Sequence, residues 1–273
     1  MKIKKATNLA LKTLEGFTDY KAEAEWLVAL SVGIKRSEVY QDLEMNSKQE
    51  KVFKSALKRR EKGEPLAYIF KSASFYGYDF FVNKNVLIPR PETEELVNFA
   101  LMSINKNSKV LDIGTGSGAI AITIAKEINA KVTAVDISRK ALRVARKNAK
   151  LNQINVRFLQ SNLFSKLNNE KFDVIISNPP YITNEAYQGL EKTVKEYEPK
   201  LALVGGEDGL KFYKKIIEDA HKYLNNDGKV FLEIGYDQAD SVKKLLIENG
   251  YKNVQSKKDL YGNDRIVYAE KGE

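Results

Sequence analysis

The feature that most restricts the fold of this chain is a junction in its middle. The run Val110-Leu111-Asp112-Ile113 breaks at once into Gly114-Thr115-Gly116-Ser117-Gly118, and helical spacing resumes directly after it. An apolar run, a glycine cluster and a periodic stretch make a strand, a turn and a helix. Glycines let the backbone turn sharply and approach a ligand closely. The helix start offers unpaired N–H groups. The same alternation continues to the end of the chain. It predicts strands over 109–113, 131–136, 156–159, 172–177, 229–234 and 265–270, with helices over 119–127, 138–151, 209–224 and 237–249. Strands alternating with helices imply an α/β fold with a mostly parallel sheet covered on both faces. Ligands of such sheets bind at the carboxyl ends of the strands, where the glycine cluster lies.

Asp136 ends the next predicted strand. A carboxylate there can accept both ribose hydroxyls of a nucleoside. The unit is therefore expected to hold a nucleoside-containing cofactor. Gly114, Gly116 and Ala119 also satisfy the loose dinucleotide pattern, so a nicotinamide cofactor and S-adenosylmethionine both remain open at this point. Asp112 tilts the choice towards S-adenosylmethionine, because a carboxylate just before the loop repels a pyrophosphate and attracts a methionine ammonium.

A second junction carries the reaction. Asp173-Val174-Ile175-Ile176-Ser177 reads as a buried strand and ends in Asn178-Pro179-Pro180-Tyr181. The prolines remove backbone donors and stiffen the loop. The Asn178 side-chain oxygen and the Pro179 carbonyl can then both accept from one NH2 group, with Tyr181 against its flat face. This suits methyl transfer to an amide or aryl amine. Two acceptors on the nitrogen's hydrogens disfavour conjugation and aim its lone pair at the methyl donor, so the main catalytic term is orientation. Such chemistry needs no metal and no protein nucleophile.

Composition agrees with that economy. The chain has no cysteine, which excludes disulfides and thiolate chemistry, and its single histidine, His221, is expected on a helix surface. No metal site is expected. No stretch approaches a membrane span, and a cytoplasmic protein without a membrane partner is expected. The basic N-terminal stretch 1–17 suits a packed helix better than a transit peptide, since Glu15 and Asp19 intrude. The net charge of +9 suggests an anionic partner, yet the tightest cluster, Lys51, Lys54, Lys58, Arg59, Arg60 and Lys62, reads first as a solvated helix face. Stable nucleic-acid binding is not expected.

The first 70 residues read as helices with apolar stripes through Leu9, Leu11 and Leu14, then Trp26, Leu27 and Leu30, then Val52, Phe53 and Leu57. Trp26 is expected in the core with Leu27 and Leu30 rather than as a partner anchor. Phe75 to Val86 is rich in β-formers, with Asn83-Lys84-Asn85 as turn material, and predicts a linking β-hairpin. Ile88-Pro89-Arg90-Pro91 is extended, and a helix is expected from Glu92 or Thr93.

With these motifs in place, the chain resembles the release-factor glutamine methyltransferases (the PrmC/HemK type) over nearly its whole length. Asn178-Pro179-Pro180-Tyr181 is shared with DNA adenine and several RNA methyltransferases. More specific are 87–94 (Leu-Ile-Pro-Arg-Pro-Glu-Thr-Glu) and 63–69 (Gly-Glu-Pro-Leu-Ala-Tyr-Ile), with Phe75-Tyr76-Gly77, Glu198-Pro199, 205–210, Glu233-Ile234-Gly235 and Asp264-Arg265. The resemblance implies a Rossmann-like class I methyltransferase sheet over 88–273, a small all-helical substrate-recognition domain over 1–70, and a β-hairpin linker over 71–87. It implies methylation of the glutamine in the Gly-Gly-Gln motif of peptide-chain release factors, with S-adenosyl-L-homocysteine as product. Gly114, Thr115, Gly116, Ser117, Gly118 and Asp136 would hold the cofactor. Asn162 and Phe164 would lie beside the adenine. Asn178, Pro179, Pro180 and Tyr181 would clamp the glutamine amide, with Pro89, Arg90 and Glu92 near the same cleft. Asn162 stands where the family often has an acid, and Lys71 near where glycine is common. The alternatives are a ribosomal-protein glutamine methyltransferase and a DNA or RNA amino-methyltransferase.

Overall fold

The computed structural model describes residues 1–272, which divide into two units. The first comprises Met1–Ser72 with a returning segment, Glu191–Tyr197. Its helices are α1 (Ile3–Thr13), α2 (Tyr20–Val32), α3 (Ser47–Glu61) and α4 (Leu66–Phe70). Asn46 caps α3 by accepting from the Gln49 N–H at 2.9 Å, while the Gln49 side chain accepts from the Asn46 N–H, a capping box.

The buried stripes of this unit run through smaller residues than expected. In α1 the buried residues are Ile3, Ala6, Thr7 and Ala10, with Leu14 just beyond, whereas Leu9 is exposed. In α2, Ala24, Leu27, Val28 and Ser31 share the inner face, and Trp26 and Leu30 lie exposed on another. Trp26 is therefore not core. The physical reason is angular: at 3.6 residues per turn, Trp26 and Leu30 fall outside the stripe of residues 24, 27, 28 and 31. Alanines bring helix backbones together and leave the larger side chains outside. Val52 is likewise exposed, while Phe53 and Leu57 are buried.

The basic cluster is only partly a solvated face. Arg60 is buried, pairs with Glu23 at 2.7 Å and stacks over Phe17 at 4.1 Å. Arg59 pairs with Glu64 at 2.5 Å. Lys51, Lys54, Lys58 and Lys62 are exposed. Lys71 ends α4 at φ 57, the left-handed region that favours glycine.

The second unit is Ala73–Leu190 with the chain from Glu198 onward. It opens with a hairpin of β1 (Ala73–Phe75) and β2 (Tyr78–Phe80), whose register pairs Phe75 with Tyr78. The turn is Tyr76-Gly77, both at positive φ, as a two-residue hairpin requires. Asn83 to Asn85 forms a separate turn, closed by the Val86 N–H on the Asn83 carbonyl at 3.1 Å. The hairpin is an integral part of this unit: Phe75 and Phe80 are fully buried in its core, edge to face.

Then follow α5 (Pro91–Leu101), β3 (Lys109–Ile113), α6 (Ala119–Ile128), β4 (Lys131–Asp136), α7 (Arg139–Leu151), β5 (Arg157–Gln160), β6 (Phe172–Ser177), β7 (Ile182–Thr183) and α8 (Asn184–Gln188). The chain next supplies α9 (Lys192–Tyr197) to the first unit, where the Tyr197 hydroxyl donates to the Lys62 carbonyl at 3.1 Å. It returns through β8 (Val204–Gly206), α10 (Lys211–Tyr223), β9 (Leu224–Glu233), α11 (Ala239–Glu248), β10 (Lys252–Lys258) and β11 (Asp264–Glu270).

Seven strands form one sheet in the order β10-β11-β9-β6-β3-β4-β5. The pairs among β9, β6, β3, β4 and β5 are parallel, and β11 and β10 add antiparallel. Alternate residues of each strand feed two cores. Val110, Val132, Val174 and Phe231 face Leu96, Ile120 and Ile124. Leu111, Val135, Ile175 and Val230 face Tyr213, Ile216 and Val242. The sheet is thus a middle layer, as strands buried on both faces require. His221 on α10 is half-buried, edge to face with Tyr251 at 5.5 Å, rather than free on the surface.

Candidate active site

The chain runs outward from β3 through β4 to β5, then crosses back to β6 on the other side of β3. The switch point lies between β3 and β6, where an open α/β sheet forms its crevice. Ile113 is in register with Ser177, and the Ser177 hydroxyl donates to the Ile113 carbonyl at 2.7 Å. The glycine loop and the Asn178 loop therefore leave adjacent strand ends with their bases clipped together.

The glycine loop is held largely by backbone hydrogen bonds, two of them to β4. The N–H groups of Gly114 and Thr115 both donate to the Val135 carbonyl, at 2.9 and 3.0 Å, and that of Gly118 to the Thr115 carbonyl at 2.8 Å. Gly114, Gly116 and Gly118 all have positive φ, but their surroundings differ. A Cβ on Gly114 would meet nothing within 4 Å, so its face is open to a ligand. A Cβ on Gly118 would stand 2.9 Å from Ile122 Cδ1 and 3.2 Å from Ala145 Cβ. Gly118 thus serves the packing of α6 against α7. Thr115 and Ser117 are buried within the loop.

Two carboxylates flank it. Asp136 accepts from the Gly116 N–H at 2.9 Å and the Ser138 N–H at 2.8 Å. Burial raises its pKa, and these two N–H groups oppose the rise. Asp112 is fully buried; its Oδ2 accepts from the Thr115 hydroxyl at 2.5 Å, and its Oδ1 has no hydrogen-bond partner. Burial pushes the Asp112 pKa to about 7, with the nearby charge of Asp136 adding and the Thr115 hydroxyl opposing. A buried carboxylate oxygen without a partner is costly, and a ligand cation satisfies it. The glycine face and the Asp112 oxygen together fit a nucleoside that carries an ammonium.

Of the expected adenine residues, Asn162 is exposed and Phe164 is buried beneath the same loop. The Phe164 ring is 3% exposed and stacks on Tyr223 at 4.7 Å inside the core. Leu163, just before it, has φ 50, and Phe164 packs in the core cluster of this face of the sheet. Phe164 supports this loop from the core side.

The Asn178 loop is held from a distance. Asn178 Nδ2 donates to the Thr93 hydroxyl at 3.0 Å, and that hydroxyl donates to Glu233 Oε2 at 2.6 Å. Pro179 is buried, while Pro180 and Tyr181 are half-buried. The Tyr181 carbonyl accepts from Gln238 Nε2 at 3.1 Å. Burial pushes the Tyr181 pKa to about 12, which keeps its hydroxyl neutral. Two glycines press on the loop: a Cβ on Gly205 would lie 2.6 Å from the Pro180 carbonyl oxygen, and one on Gly209 2.4 Å from that of Tyr181.

Pro89, Arg90 and Glu92 lead into α5, with Pro91 as its first residue, where a missing N–H costs nothing. Glu198 clamps this segment. It accepts from the Ile88 N–H at 3.1 Å and forms an ion pair with Arg90. Arg90 is thus committed to Glu198, and Glu92 is half-buried beside Thr93. Motif reading gave Thr93, Glu233 and Gln238 no role in the site. The available signal was Glu233, an acid closing the apolar run Val230-Phe231-Leu232.

Residues 5–70 match the PrmC N-terminal domain, and residues 96–206 match the methyltransferase small domain. The chain is 44% identical over 234 residues to a release factor glutamine methyltransferase of Flavobacterium psychrophilum, covering 83% of this chain and 82% of that protein. The chain belongs to the release factor glutamine methyltransferase family. A second family member, from Thermodesulfovibrio yellowstonii, is 40% identical over 91% of this chain and 92% of its own. Among solved structures, a methyltransferase from Pyrococcus furiosus superposes with a TM-score of 0.58 at 27% identity, over 73% of this chain and 92% of its own. That coverage agrees with a shared α/β core. Among the described residues, no helix is long and apolar enough to cross a membrane.

Proposed function

We propose that this protein methylates the side-chain amide nitrogen of the glutamine in the Gly-Gly-Gln motif of peptide-chain release factors, using S-adenosylmethionine, in the cytoplasm. The observation that carries this reading is the Asn178 loop at the switch point: a carboxamide anchored through its nitrogen, which leaves its oxygen to accept from a substrate NH2. Membership in the family supports the choice of glutamine over a nucleobase.

The bound donor supplies a methyl group already activated by the sulfonium charge. The chain's own residues bind and orient. Gly114 to Gly118 offer an open backbone face, Asp136 would accept the ribose hydroxyls, and Asp112 Oδ1 would accept the methionine ammonium. Asn162 and Leu163 would flank the adenine. Asn178 Oδ1 and the Pro179 carbonyl would accept the two amide hydrogens, which turns the nitrogen lone pair towards the methyl group. Tyr181, neutral and half-buried, would cover the flat face of the amide. No side chain is required to act as a nucleophile. Pro89 to Glu92 would border the entrance, and the helical first unit would recognise the body of the release factor.

The test is a methyl-transfer assay with radiolabelled donor, offering a release factor, its Gln-to-Ala variant, ribosomal proteins and DNA in parallel. Label is expected on the release factor and absent from its variant. Label confined to ribosomal protein or DNA overturns the assignment.

A further inference from the structure

We infer that Thr93 and Glu233 are positioning residues for methyl transfer, which lock the Asn178 carboxamide with its oxygen towards the crevice. The inference deepens the functional reading above and rests on it for its catalytic part.

The three groups come from separate elements. Asn178 follows β6, Glu233 ends β9, and Thr93 lies in the first turn of α5. Ser177 pairs with Leu232 in register, so the strands deliver Asn178 and Glu233 to the same level of the sheet. Glu233 is 1% exposed and Thr93 5% exposed, so water does not compete for their hydrogen bonds.

The direction of the relay follows from donor counting. Above about pH 7, where Glu233 is ionised, its carboxylate only accepts, and a hydroxyl has a single proton to give. Thr93 spends that proton on Glu233 at 2.6 Å, and its oxygen can then only accept. The group facing it from Asn178 must therefore be the NH2, which lies 3.0 Å away. Asn178 Oδ1, at the other corner of the same planar carboxamide, is left facing away from the Thr93 hydroxyl. Without the carboxylate, the Thr93 proton is free to point at Asn178, and a flipped carboxamide becomes equally acceptable. A flipped Asn178 presents donors to a substrate NH2, which also only donates. The relay thus removes the unproductive rotamer before substrate arrives, the preorganisation that orientation-based catalysis needs.

Glu233 is costly to keep. Burial pushes its pKa to about 7, opposed by Thr93, Arg265 and Asn178. A leucine in its place would pack in the same core without that cost. A carboxylate buried at a strand end within 2.6 Å of the Thr93 hydroxyl fits a role in orienting Thr93.

The test uses the full-length protein with Thr93→Val, which keeps shape and removes the hydroxyl, Thr93→Ser, which restores it, and Glu233→Leu, which removes the acceptor. Release-factor methylation should show kcat reduced by about tenfold to a hundredfold in Thr93→Val and Glu233→Leu, with KM for the cofactor unchanged. Thr93→Ser should recover activity. An independent readout is solvent exchange of the Asn178 side-chain NH2 protons by NMR, assigned by their loss in Asn178→Ala. Exchange should be slow in the parent and in Thr93→Ser, and fast in Thr93→Val. Unchanged exchange in Thr93→Val overturns the relay, even if the parent protein methylates no release factor. Full kcat in both Thr93→Val and Glu233→Leu, in a protein that does methylate release factor, overturns the positioning role alone.

Discussion

The two loops of the crevice are built on opposite plans. The glycine loop is held within the consecutive run β3 to α7: Val135 carries its turn, Thr115 closes it, Asp136 ties Gly116 to Ser138, and Asn148 donates to the Ser117 carbonyl. The Asn178 loop is held by residues remote in sequence, with Thr93 in α5, Glu233 in β9, Gln238 ahead of α11 and the glycines around β8. Binding of a common nucleoside needs a backbone shape, which a short stretch can specify. Orientation of one carboxamide needs a rigid polar frame, which several elements must supply together. The two plans also fail differently when disturbed.

The largest effect is expected at the remote-built loop. Asn178→Ala should lower kcat by about a thousandfold, comparable to removing a preorganised hydrogen-bonding group from an active site. Cofactor affinity by calorimetry should stay near the parent value. Retained turnover would remove the carboxamide clamp from the mechanism. Next comes Asp136→Ala, which should weaken cofactor binding by roughly tenfold to a hundredfold, the worth of charge-assisted hydrogen bonds. An unchanged dissociation constant would refute the ribose assignment.

Gly209→Ala should separate the plans in one protein. Its Cβ would meet the Tyr181 carbonyl at 2.4 Å with φ fixed at +71°, so the loop must move. Turnover should fall by about tenfold or more, since small displacements cost orientation, while cofactor binding persists. A parallel loss of cofactor affinity would mean that the two loops move as one piece.

The smallest effect concerns stability. The folded protein holds the Asp112 proton up to about pH 7, whereas the unfolded chain releases it near the ordinary value of 3.8. The native state therefore binds more protons in that window, and this contribution to stability falls as pH rises through it. Asp112→Asn removes the dependence. Its melting temperature relative to the parent should rise between pH 4 and pH 8 by at least about 4 °C, followed by calorimetry without cofactor. A constant difference would show that Asp112 is not the group that titrates.

Much of the α/β framework could be read in advance because period and punctuation are local. Lys109–Ile113, Lys131–Asp136 and Phe172–Ser177 occur as expected, and Ser138 caps α7. Strand β10 went unread because Lys252–Lys258 is a polar edge strand with little apolar alternation. Helix α9 went unread for another reason: it lies far along the chain yet belongs to the first unit. Trp26 and Phe164 both depend on more than their local sequence. Size suggested burial for Trp26, and helix angle exposed it. Phe164 was expected beside the adenine, and its ring packs on Tyr223 beneath the Asn162 loop, a partner remote in sequence.

The sequence by itself determined the alternating architecture, the glycine turn with its carboxylates, and the rigid proline loop, since each rests on the conformational limits of neighbouring residues. Only the tertiary structure decided which way the Asn178 carboxamide points. That choice depends on the sum of donors and acceptors around one hydroxyl, and the groups that settle it meet only after the sheet has formed.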